Sequence, residues 1–425
     1  MKTKYLAIYY TLLLLVMTLT RQVAAPPLLL RIAFLIAVLL PGLRDRHGLF
    51  FVAMICFWAI SVNGYAYSYM PTMPEIYLGA TVAPLLANKY KYATLFGGGN
   101  ILFLLLLLLV FLGSLDTGLP SNGLVQVLLI IFLSHLLLPE SDEQTIVYFQ
   151  LAFMVITIVL SFYLIADGGI FTIDIVSVAD RELIGWNDQN YMGMIIGMGA
   201  SVGFDCLLRF KQLNYYVIAL SIASIVIAIP VMLMLASRGA LLCLVASVFF
   251  LLFMQKGNLR VKLFVVLASV VFIGYLYYND YFELLEARFL NDDGTGSNRT
   301  IIWRYKWEEF MSALNFPRLL FGVGWEEGVA YGAASFRLHG LGFHNDYLAF
   351  LVCYGVTGLS LFLTLLILPF RILRRCSPWW TVACANTVYI IAGCCTLEPF
   401  AMGNIAFYAF LIYTLLLARY KNELR

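Results

Sequence analysis

Charge is what this chain has least of. Across 425 residues only 12% are Asp, Glu, Lys or Arg, against 62% hydrophobic residues, and the mean hydropathy is +0.89. A soluble domain of that length cannot hide so much apolar surface, so the composition excludes a water-soluble enzyme and requires lipid as solvent. A formal net charge of +3 excludes a nucleic-acid binder working through a basic face. Eight cysteines (Cys56, Cys206, Cys243, Cys353, Cys376, Cys384, Cys394, Cys395) show no metal-ligand spacing, and most fall inside apolar runs, where a thiol behaves as a small hydrophobe. Neither a disulfide framework nor a metal site is indicated. The first apolar segment follows Lys2 and Lys4 but ends without a small-residue cleavage site, so it reads as a retained helix, not a removed signal peptide.

What is present is a succession of apolar segments, at about 5 to 20, 27 to 41, 49 to 64, 73 to 88, 93 to 114, 123 to 138, 147 to 166, 190 to 208, 213 to 235, 239 to 255, 262 to 278, 345 to 370, 379 to 396 and 402 to 419. The expected fold is therefore all-α: a polytopic membrane protein of about 14 (12–14) transmembrane helices with one large exterior loop. It divides into N-terminal spans (1–278), the loop (279–344) and C-terminal spans (345–425). Segment 73 to 88 is the weakest, with Pro74, Glu75, Gly79 and Pro84, and could be re-entrant. Charge favours spanning. With the N-terminus and C-terminus cytoplasmic, 17 of the 27 positive residues, from Lys2 and Lys4 through Arg209, Lys262 and Arg371 to Arg425, fall on the cytoplasmic side, and omitting that span breaks the pattern.

The positive residues left outside are Arg21, Arg31, Arg181, Arg238, Arg288, Arg299, Arg304, Lys306, Arg318 and Arg337. Arginine's rigid fork suits bidentate phosphate or carboxylate binding better than lysine's mobile point charge. Acids in the loop, among them Glu283, Glu286, Glu308, Glu309, Glu326 and Glu327, are numerous enough to pair most of these arginines, which is their plain structural explanation. Arg238 escapes it. Ser237-Arg238-Gly239-Ala240 separates two apolar runs with almost no loop, placing a guanidinium at the outer membrane face with no acid beside it in sequence, a position that points to a ligand. Arg31 lies near an outer end too, but can snorkel.

Within the loop, Trp303, Trp307, Phe310 and Leu314 recur at helical spacing, predicting an amphipathic helix over Arg299–Leu314 that lies on the outer leaflet. Asn291 to Asn298 reads as a solvated turn, since calcium-loop ligand spacing is missing. Gly322-Val323-Gly324 reads as a backbone bend in preference to a phosphate cradle. His344, followed by Asn345 and Asp346, starts the next span; it is either a general base or an interfacial cap, with His339 as its rival. Asp188 and Asn190 either cap the span they begin or hold sugar hydroxyls.

Ser237-Arg238-Gly239 at the outer end of a span, Arg299 followed by Trp303, Phe321-Gly322-Val323-Gly324, and His344-Asn345-x-x-Leu348 with Gly355 and Gly358 together resemble the O-antigen polymerase and O-antigen ligase superfamily. The likeness covers roughly Arg181 to Gly358; the first half is similar only in being a row of helices. The resemblance implies glycosyl transfer at the periplasmic face of the bacterial inner membrane. The donor is a glycan on undecaprenyl diphosphate, the acceptor a hydroxyl of another glycan or of lipid A core, and no nucleotide sugar, cofactor or metal takes part. It further implies that Arg238 and Arg299 grip the lipid diphosphate and that His344 activates the acceptor. Arg304, Arg181, Arg288, Asn345 and Asn190 are further substrate-binding candidates from their positions.

The reading adopted is a polymerase, with a ligase as the alternative acceptor choice and a flippase for lipid-linked oligosaccharide as the alternative of another class. The halves show no internal repeat and mid-membrane ionisable residues are few, whereas many transporters show both. The first exterior loop, Thr20 to Pro26, contains no acid, which removes the acidic metal motif of polyprenyl-phosphate sugar transferases. Expected partners are the lipid-linked donor, the acceptor glycan, membrane lipid and a chain-length regulator.

Overall fold

The computed structural model describes residues 143–166, 189–209, 215–255, 259–290, 299–332, 342–371 and 379–400, with isolated residues elsewhere. The segments expected before residue 143, Arg31, Arg181, Asp188, the acidic turn 291–298, Arg337 and His339 lie outside the described residues, so the count of 14 spans is carried by the sequence alone.

All regular structure among the described residues is helical: α1 (Glu143–Ala166), α2 (Gln189–Leu208), α3 (Tyr215–Met234), α4 (Arg238–Met254), α5 (Leu259–Tyr278), α6 (Glu283–Leu290), α7 (Arg299–Ser312), α8 (Phe316–Phe321), α9 (Trp325–Ala330), α10 (Asp346–Arg371) and α11 (Trp380–Thr396). In lipid the backbone must satisfy its own N–H and C=O groups, so long apolar runs fold as helices close to the bounds the hydropathy predicts. Among the described residues four stretches are long and apolar enough to cross a membrane: Asn190–Leu208, Tyr215–Met234, Leu259–Tyr278 and Asp346–Phe370. Helices α1, α4 and α11 contain shorter apolar stretches.

Helix α2 is the hub, packed against α1, α3 and α4. Glycines let neighbouring helices approach it near its start and near its end. A Cβ at Gly193 would lie 3.0 Å from Ala240 of α4, and one at Gly203 would lie 2.7 Å from the Ser224 hydroxyl of α3. Without a hydrophobic drive between helices in lipid, such close packing and interhelical hydrogen bonds hold the bundle. Thr157 donates to the Ile196 carbonyl (3.1 Å), Tyr389 to the Met194 carbonyl (2.6 Å), and the hydroxyls of Ser201 and Ser247 share a bond of 2.7 Å.

Two polar ends result. At one, Arg209 pairs with buried Asp205, stacks 3.6 Å over the Trp379 ring, and Lys262 donates to the Leu252 carbonyl. At the other lie the starts of α2, α4 and α10 and the end of α11. Arg209 and Lys262, both placed on the cytoplasmic side by the charge pattern, therefore share the end away from Arg238 and His344.

Helix α10 is broken. Gly355 has φ +67° and ψ −168°, which interrupts the ladder one-third of the way along. The freed carbonyls are satisfied from the loop: Val323 N–H donates to Val352 O (3.0 Å) and Gly324 N–H to Cys353 O (2.9 Å). The Gly322-Val323-Gly324 bend is thus a dock for a helix break, and its amides are spent on protein carbonyls. Gly322 and Gly355 face the opposing backbone so closely that neither has space for a side chain.

Candidate active site

The first turn of α4 carries Arg238. Ala236 adopts φ +48°, reversing the chain after α3, and Ser237 then caps α4, its Oγ accepting from Ala240 N–H (3.4 Å). The same hydroxyl donates to Asn190 Oδ1 at 3.1 Å, tying α4 to the first turn of α2. On the other side, a Cβ at Gly239 would sit 2.8 Å from Thr396 Oγ1, so α4 starts wedged against the end of α11. Arg238 is half-buried, its guanidinium 5.2 Å from the centroid of the exposed Phe289 ring on α6. Arg288 is on α6 too.

His344 lies in the short link into α10 and has φ +49°, a left-handed backbone that non-glycine residues rarely hold. Such a conformation persists only where neighbours over-determine it. Here both neighbours are fixed. Asn345 caps α10, its Oδ1 accepting from Leu348 N–H at 3.0 Å, so capping is the contact seen for this binding candidate. Phe343 is held on three sides: its N–H donates to a Glu398 carboxylate oxygen, its carbonyl accepts from Trp303 Nε1 (2.8 Å), and its ring lies 4.3 Å from Lys306 Nζ. One residue further along α10 from Asn345, Asp346 is fully buried and accepts from Phe400 N–H at 3.2 Å.

Lys306 is 1% exposed, and its ammonium donates to the carbonyls of Gly328 (3.3 Å), Val329 (2.9 Å) and Tyr331 (3.0 Å), which close the end of α9. Burial pushes its pKa below the ordinary lysine value, opposed by the negative charge of Glu398 and, less strongly, by Cys353 and Glu309. Beside it, burial and a 2.8 Å hydrogen bond to Glu327 push the Tyr331 phenol up to about 12.

The face that α7 turns inward is Ile302, Lys306 and Phe310, all buried. The stripe expected to face the outer leaflet is divided: Trp307 is 42% exposed, whereas Phe310 is buried and Trp303 reaches Phe343. Periodicity favoured apolar positions, whereas the inner face is centred on a lysine because the end of α9 needs donors. Arg299 begins α7 one turn before Trp303, about 6 Å along the axis of the helix that meets Phe343. Arg304 points outward, 61% exposed and 4.0 Å from Glu308.

Lys306 is assigned no role by sequence reasoning, and Glu398 goes unremarked. For Glu398 the signal was available. Glu398 interrupts two apolar runs with no adjacent base, the criterion that singles out Arg238.

The structure thus brings Asn190, Arg238, His344 and Asn345 to one end of the bundle, and α7, which begins at Arg299, meets that end through Trp303. No curated protein matches the chain. Residues 223–363 do match the family described as O-antigen ligase, a stretch that holds Arg238, Arg299 and His344 but stops short of Glu398. That stretch, about a third of the chain, is what is similar to the O-antigen ligase family.

Proposed function

We propose that this protein is a glycan polymerase that transfers an undecaprenyl-diphosphate-linked oligosaccharide to the hydroxyl of an acceptor glycan at the periplasmic face of the inner membrane. The observation that carries this reading is the bridge at residues 396–398. Thr396 packs on Gly239, next to Arg238, and Glu398 two residues later accepts from Phe343, next to His344. A short segment therefore links a cation suited to a diphosphate with an imidazole suited to a hydroxyl.

In the proposed step the acceptor oxygen attacks the anomeric carbon while its proton passes to His344. The bond from that carbon to the diphosphate oxygen breaks, the electron pair leaves on the lipid diphosphate, and the anomeric configuration inverts. Arg238 and Arg299 stabilise the charge that develops on the leaving oxygen, which fixed guanidinium donors do best in a water-poor site. His344 serves as general base because imidazole exchanges protons near neutral pH. The left-handed backbone at His344 supports this assignment, since strain of this kind gathers at functional sites.

The test is a deletion strain complemented with wild type, Arg238→Ala or His344→Ala, followed by gel analysis of surface glycan. A ladder restored by wild type, with a single-repeat band from either variant, supports the polymerase. Lipid-linked polymer accumulating without attachment in the deletion strain assigns a ligase. Unextended repeats retained on the cytoplasmic leaflet assign a flippase and overturn the proposal.

A further inference from the structure

We propose that Glu398 is a positioning residue for His344, acting through Phe343 together with Lys306 and Trp303. The inference rests on the reading of His344 as acceptor base and adds residues which that reading does not contain.

Glu398 is 2% exposed, and its carboxylate accepts the Phe343 N–H across 55 residues of sequence. Room for that carboxylate comes from Gly342, where any side chain would overlap Glu398. A buried carboxylate costs more to desolvate than a neutral carbonyl, which would also accept the Phe343 amide. What the charge adds is an attraction to Lys306, which lies against the Phe343 ring. The two opposite charges thus grip one residue, and Trp303 fixes its carbonyl as a third point. With Phe343 immobile on one side and Asn345 capping α10 on the other, His344 has its backbone set from both directions. Removing Glu398 leaves a buried N–H without its acceptor and lets the Phe343 peptide rotate, which turns the imidazole away from the acceptor.

Misplacement of a catalytic group by about 1 Å can lower a rate on the order of a hundredfold. Glu398→Ala is therefore expected to reduce kcat about ten- to a hundredfold while the donor KM stays within about twofold, because donor binding is assigned to Arg238 and Arg299. Glu398→Gln retains an oxygen acceptor but not the charge that attracts Lys306, and recovers only part of the rate.

The experiment uses full-length protein in proteoliposomes. Its probe is the lipid-linked glycan extracted from membranes of the deletion strain and radiolabelled in its sugar. Initial rates are compared for wild type, Glu398→Ala, Glu398→Gln, His344→Ala and the Glu398→Ala/His344→Ala double variant. If Glu398 acts through His344, the double variant matches His344→Ala alone, since a displaced base matters only where a base exists. A merely structural role would multiply the two losses. Should Glu398→Ala fail to accumulate in membranes, Trp303→Phe removes the donor to the Phe343 carbonyl and is expected to give the same kcat loss and the same non-additivity. An inactive His344→Ala beside fully active Glu398→Ala or Trp303→Phe overturns the positioning role alone. Losses that appear in KM, or that multiply in the double variant, do the same. A His344→Ala enzyme with full activity overturns the base assignment and the positioning role together.

Discussion

Gly355→Ala probes the contact on which the loop is hung. At φ +67° an alanine carries a left-handed penalty of about 1–2 kcal/mol. Its Cβ would also meet the backbone of Leu320 and Phe321, which cannot rotate aside as a side chain could. If α8 stays docked, the overlap adds about 1–3 kcal/mol of overpacking. If α8 lifts, the bonds from Val323 and Gly324 are lost, and the carbonyls of Val352 and Cys353 face an apolar surround at about 1–3 kcal/mol each. Either route costs about 2 kcal/mol or more by those same terms. Thermal unfolding in detergent should show a lowered midpoint, and limited proteolysis should newly cut within residues 316–332. Gly274→Ala is the control: nothing lies within 4 Å of a Cβ there, so the change should fall within about 1 kcal/mol of wild type, on the stabilising side. Wild-type melting and wild-type protease resistance in Gly355→Ala would refute the docking argument.

Ser237→Ala removes the cap of α4 and its bond to Asn190, and should lower stability by about 1 kcal/mol and glycan output with it, read by thermal shift and by gel ladder. Arg304→Ala should leave chain extension near wild type, because its partner Glu308 is a surface neighbour in an exposed pair; a loss matching that of Arg238→Ala would reassign it to the site. Lys306 gives a pH signature. Its folded pKa lies below the ordinary 10.5, so between those values the unfolded chain holds a proton that the folded protein has released. Its contribution to stability therefore rises as pH climbs through the folded pKa and levels off near 10.5. Subtracting the Lys306→Met profile from wild type, by melting between about pH 8 and 11, should expose that rise, and a flat difference would count against it.

Helix bounds were legible because each apolar run must fold as a helix to satisfy its backbone in lipid: α3, α4 and α5 begin and end within a few residues of the apolar runs that mark them. Arg238 was legible for the same reason, as a charge left where apolar runs meet. The interior of the loop was less so. Apolar periodicity marks Trp303, Trp307, Phe310 and Leu314 as a face for the outer leaflet, yet Phe310 belongs to the buried face with Ile302 and Lys306. A period locates apolar residues, not the carbonyls at the end of α9 that make a buried ammonium worthwhile.

Sequence by itself determined the solvent, the helical class and the side on which cationic residues gather, because these depend on composition and on short windows of hydropathy. Only the tertiary structure decided which helix ends meet. Asn190 reaches Ser237 across 47 residues and Glu398 reaches Phe343 across 55, pairings that no local window contains. The left-handed backbone of His344 belongs with them, since it stands between Phe343, tied to Trp303 across 40 residues, and the cap residue Asn345.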